Sequence, residues 1–146
     1  MAYERTNWKD SPSTDTPITA SNLNNIESGI VNLQPYIIYD NSIGTTGTVS
    51  YPDDTWANYS IVDILCKTND GDYLSTRIYN PIGKTVLVSA SNVYSNDFYV
   101  KLATLKIEST KISFTKNYEM KISGTDKQIF WYTGEYIFLT KLIGYK

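Results

Sequence analysis

The chain has 146 residues, 41% hydrophobic and 19% charged, with a net charge of −2 and no histidine. This is globular composition, with no electrostatic pull toward nucleic acid or an anionic membrane. Without histidine, Ser-His-Asp and Cys-His catalysis and His-containing zinc sites lack their central residue.

Residues 1–18 read as an extended arm. Pro12 and Pro17 discourage helix, and Ser, Thr and Asp dominate between them. Tyr3 and Trp8 are unusual in so polar a segment and suit docking onto another surface, or folding back onto this chain's own helix. The opening stretch holds no hydrophobic signal region, and no run reaches the ~18 apolar residues of a membrane span, so a soluble product made in the cytoplasm is expected.

The chain's one helical pattern covers residues 19–34. Leu23, Ile26, Ile30 and Leu33 recur at heptad spacing, Thr19 is placed to cap the start, and Pro35 ends the run. Gly29 weakens it by about 1 kcal/mol relative to alanine. So short a helix is marginal alone, and its narrow seam calls for a partner, read here as copies of itself. Leu and Ile at such positions permit more than one oligomer number.

From Tyr36 the period changes to two. Strands are expected at Tyr36–Tyr39, Ser60–Lys67, Tyr73–Tyr79, Lys84–Ser89, Asp97–Glu108, Lys111–Ile122, Gln128–Tyr132 and Glu135–Ile143. Asn69-Asp70-Gly71-Asp72 and Thr133-Gly134 are tight turns, since Asp-Gly tolerates positive φ. Lys111–Ile122 alternates most clearly: Ile112, Phe114, Tyr118, Met120 and Ile122 share one face, Asn117, Glu119 and Lys121 the other, with a bend near Lys116–Asn117. Asp97–Glu108 slips phase near Ala103–Thr104, which a bulge would reconcile. Cys66, the single cysteine, allows no intrachain disulfide and reads as a small buried hydrophobe. The fold class is mainly β: a short N-terminal α-helix acting as a coiled-coil-like stalk, then an antiparallel β-sandwich, jelly-roll-like, over residues 36–146.

Little here suggests chemistry. Asp53-Asp54, and Asp70 with Asp72, are better explained as turn formers than as glycosidase carboxylates or calcium ligands. Gly44-Thr45-Thr46-Gly47 lacks the lysine of a phosphate-binding loop. The remaining signal is aromatic: Trp56 and Tyr59 beside Asp53 and Asp54, and Trp131, Tyr132 and Tyr136 around Thr133-Gly134. Rings next to carboxylates and amides can hold a sugar; the alternative for each ring is core packing or contacts between copies.

The pattern Tyr3-x-Arg5-Thr6-Asn7-Trp8, then Thr16-Pro17-Ile18-Thr19-Ala20, then Asn22-Leu23-Asn24-x-Ile26-Glu27-x-Gly29-Ile30, resembles the opening segment of tail and baseplate proteins of phages infecting Gram-positive bacteria. The closing Ile143-Gly144-Tyr145-Lys146 is similar to the ends of phage fibre head domains. The resemblance covers about the first thirty residues and the last few, and the chain lacks the long shaft of larger members. It implies a virion location, an anchoring arm over 1–18 with Tyr3, Arg5 and Trp8, a trimerisation helix over 19–35, and a head over 36–146. Other virion proteins and a host cell-wall saccharide are the implied partners. Receptor binding by a short tail fibre or baseplate protein is the expected role, with neither an enzyme activity nor a cofactor. A capsid decoration or head-fibre spike is the alternative, and a polysaccharide depolymerase a more distant one.

Overall fold

The computed structural model describes residues 20–51 and 58–146, in two units, one reaching to Gln34 and the other running from Pro35 to Lys146. In the first, helix α1 spans Ala20–Leu33. Its seam is open in the single chain: Leu23, Ile30 and Leu33 are exposed and Ile26 is half-buried. The expected cap, Thr19, and the anchoring residues Tyr3, Arg5 and Trp8 lie outside the described residues.

Among the described residues the second unit has nine strands: β1 (Tyr36–Thr45), β2 (Val49–Ser50), β3 (Ile61–Thr68), β4 (Tyr73–Tyr79), β5 (Thr85–Tyr94), β6 (Asp97–Ile107), β7 (Lys111–Ile122), β8 (Ile129–Thr133) and β9 (Ile137–Tyr145). They form two antiparallel sheets. The first has the order β1-β9-β3-β4; the second runs β5-β6-β7, with β2 and β8 both pairing with β7. The strand reading therefore holds in kind for all eight expected strands. β2 is added, and β1 and β5 extend further, β5 as far as Tyr94.

One apolar core joins the sheets. Val62, Ile64 and Cys66 of β3, Ile78 of β4 and Ile137, Leu139 and Leu142 of β9 meet Val86 and Val88 of β5, Ala103, Leu105 and Ile107 of β6, and Ile112 of β7. This makes the unit sandwich-like, each sheet contributing alternate side chains to a common interior. The jelly-roll detail gives way. The pairs β1–β9 and β2–β7 span the chain as a jelly roll requires, but β5-β6-β7-β8 is a meander of successive neighbours within one sheet. Short turns such as Ser95-Asn96 join these neighbours, and a tight turn returns the chain beside the strand it left.

Burial drives the Cys66 thiol up to about 12, so it is a packing group, as expected. Gly144 is required by packing: a Cβ there would come within 2.5 Å of the Tyr59 ring and 2.9 Å of Ile38. Gly71 turns the β3–β4 connection at φ +96.

The alternation assigned to Lys111–Ile122 is corrected by one residue. β6 pairs Leu105 with Phe114 but Thr104 with Lys116, leaving Thr115 as an extra residue on β7. That bulge swaps the strand's faces. Ile112 and Phe114 face the core, whereas beyond Thr115 the inward positions are Asn117, Glu119 and Lys121, paired with inward Ala103, Lys101 and Tyr99. Tyr118, Met120 and Ile122 face outward. The bulge expected near Ala103–Thr104 is present as a register shift between Thr104 and Leu105, but its extra residue lies on β7: within β6, Lys101, Ala103, Leu105 and Ile107 alternate inward without interruption. Outward Val100 and Leu102 mimic a slip because both faces of this strand carry apolar residues.

Candidate functional site

Asp53, Asp54 and Trp56 lie outside the described residues. Tyr59 is half-buried and stacked on Tyr36, with centroids 5.9 Å apart at 16°. It covers Gly144 at the end of β9, and desolvation raises its pKa.

Trp131, Tyr132 and Tyr136 come together only in part: Tyr132 lies near enough to Tyr136 to help raise its pKa, while Trp131 turns away. Trp131 and Tyr132 are successive residues of β8 and leave opposite faces of the sheet. Trp131 projects outward, 60% exposed, its ring 5.3 Å from Tyr118. Tyr132 is paired with Glu119, an inward position. Both border an open cleft of about 480 Å³ that also touches Lys116, Asn117 and Thr133. Tyr136 is half-buried against Gly134, with its pKa raised chiefly by desolvation. Its backbone is fixed by Asn117, whose Oδ1 accepts from the amides of Tyr136 and Ile137 while Nδ2 donates to the Ile137 carbonyl at 2.7 Å. The bulge at Thr115 is what turns Asn117 inward to do this.

A second cleft, of about 400 Å³, is lined by Asp70, Asn92, Tyr94, Tyr99 and Glu119. It draws on the β3–β4 turn, the end of β5, the start of β6 and the middle of β7. Beside it Lys101 is buried, with 4% of its side chain exposed. Its Nζ donates to Asn69 Oδ1 at 2.7 Å and to the Asp70 carboxylate, and lies 3.9 Å from Glu119 Oε2. A buried ammonium must be paired, and the Asn69-Asp70-Gly71-Asp72 turn supplies most of that pairing. Asn92 Nδ2 donates to the same Asp70 Oδ2 at 3.1 Å, a second bond that fixes the carboxylate. Lys121 Nζ sits 5.7 Å from the Tyr99 ring and 2.7 Å from Asp97, whose pKa falls chiefly through this pairing. The cleft thus offers two rings, two carboxylates and an amide, held by internal bonds. Such a surface can stack on the apolar faces of a polyol and accept from its hydroxyls.

In the sequence this cleft leaves one signal, Lys101, a lysine at an inward position between Tyr99 and Ala103. The outward apolar residues of β6 obscure the strand's parity and with it the burial of this lysine.

Among the described residues no cluster of three or more acidic, Cys or His side chains could hold a metal ion, and no helix is long and apolar enough to cross a membrane. No protein-family model, curated protein or solved structure matches the chain.

Proposed function

We propose that the chain is a homotrimeric phage virion appendage whose β head binds a host-surface glycan without cleaving it. The arm over 1–18 docks it to the particle through Tyr3, Arg5 and Trp8. Leu23, Ile26, Ile30 and Leu33 join the copies, and the head presents the ligand site outward. The observation that carries the recognition part is the cleft of Tyr94, Tyr99, Asp70, Asn92 and Glu119, which combines rings with oxygen acceptors. The seam left open on α1 supports the assembly part. Three weak sites on one particle-bound unit would act together, because linked sites raise avidity without any new contact.

A glycan array with the full chain, followed by inhibition of adsorption by the purified protein, tests this. Specific binding that Tyr94→Ala abolishes, together with blocked adsorption, is expected. Binding to no glycan would overturn the recognition part.

The decoration reading is favoured by one observation: Asp70 is already engaged by Lys101 and Asn92, so the cleft's polar groups partly satisfy one another. Glycan binding without any block of adsorption would favour it.

A further inference from the structure

Toward the β5–β6 turn, outward residues of the second sheet form three rows across four strands, while the far half of the face carries Thr104, Lys106, Ser113 and Lys116. The first is Val93, Phe98, Ile122 and Ile129; the second is Ser91, Val100, Met120 and Trp131; the third is Ser89, Leu102, Tyr118 and Thr133. None of these residues is charged. Val93 is 69% exposed, Ile129 57% and Trp131 60%. An antiparallel sheet with one face on the core normally turns polar residues to water on the other, and this half of the face does not.

We propose that copies of this chain meet through the outer face of the second sheet, and that Trp131 is an assembly residue rather than a sugar-binding one. The inference rests on the homotrimer part of the reading above and is independent of the glycan part.

A sugar is a poor occupant. The first two rows hold no carboxylate or amide, and a saccharide needs such groups for its hydroxyls. An apolar protein surface is the chemical match.

Area then favours a second copy over a free partner. Four strands about 4.8 Å apart and three rows about 7 Å apart give a footprint of roughly 400 Å². An independent standard complex buries about 800 Å² per partner. The face is therefore too small to recruit a free protein tightly, yet suitable for heads that are already tethered. Tethering supplies an effective concentration near the millimolar range. The same chain carries the means of tethering: α1 exposes Leu23, Ile30 and Leu33 at coiled-coil spacing.

Sedimentation of the full chain, with Val93→Glu and Trp131→Glu beside the wild type, tests the proposal. Both side chains are exposed in the single chain, so the fold should survive, with strand signal and thermal transition retained. Association should weaken tenfold or more. Variants that fold and assemble as the wild type does would overturn the proposal. So would a Trp131→Glu chain that assembles normally but loses glycan binding. Loss of assembly with single-site glycan binding retained would support the interface and leave the recognition reading intact. Hydroxyl-radical footprinting of the wild type needs no variant. Normalised to the unfolded chain, Met120 and Trp131 should react several-fold more slowly than Tyr73 and Tyr79 on the first sheet; equal rates would overturn the proposal.

Discussion

The two sheets share a core but differ on their outer faces. On the first sheet, Arg77 pairs with Asp63 through two bonds of 2.7 Å, Tyr145 donates to Asp63 at 3.0 Å, and the guanidinium lies 5.1 Å from the Tyr145 ring. Lys141 meets Asp40 at 2.8 Å on the same sheet, and Lys67 donates to the Ser42 carbonyl at 2.9 Å. Tyr73 and Tyr79 stand among these charges with their hydroxyls available to water. The second sheet has uncharged, largely apolar rows over the half of its outer face near the β5–β6 turn, with Lys106 and Lys116 confined to the other half. Strand geometry has a part in the difference, since the Thr115 bulge is what turns Tyr118, Met120 and Ile122 outward. The difference also reflects what each face meets: water in one case and, on our account, another copy in the other.

Substitutions can sharpen or break this contrast. The largest effects belong to the interior that the sheets share. Leu105→Ala or Ile64→Ala should cost about 2–5 kcal/mol in urea unfolding, because each leaves a cavity between the sheets. Gly144→Ala should cost about 1–3 kcal/mol by thermal unfolding, because the new methyl strikes the Tyr59 ring. Lys101→Met keeps the bulk but removes the cation beside Asp70 and Glu119. A loss of about 1 kcal/mol is expected, since Asp70 is partly solvated, accompanied by weakened glycan binding at the cleft.

The outer face of the first sheet should give the smallest effect. The Asp63 carboxyl is held below its ordinary value of 3.8, chiefly by its hydrogen bond from Arg77. A depressed native pKa contributes stability that is fully present above the unfolded value and is lost as pH falls through the native one. The melting temperature of Asp63→Asn should therefore lie slightly below that of the wild type at neutral pH, and the gap should close below about pH 3.8. A gap that persists in acid would mean that the carboxylate's charge is not what matters there.

The strands were legible in the sequence, because alternation and turn chemistry are local. β3 shows this best: its inward Val62, Ile64, Cys66 and Thr68 alternate with half-buried residues, and Asp-Gly marks the turn that follows. What could not be read was which way β7 faces after Thr115. A bulge is set by the partner strand, so Tyr118 and Met120 looked like core when they are outer face. The second cleft was hidden for a related reason. Asp70, Asn92, Tyr99 and Glu119 come from four separate segments, and only the closed sandwich brings them together. The trouble with phase in β6 was itself informative, since a strand apolar on both sides blurs a period of two. Such blurring in a strand of an antiparallel sheet is a sequence-level sign of a face that needs covering.

The most direct test of a covered face is the mass of the intact chain in solution at micromolar concentration, by sedimentation equilibrium. The account predicts a folded species of about three times the 16.6 kDa of one chain. A folded monomer of 16.6 kDa across that range would contradict it.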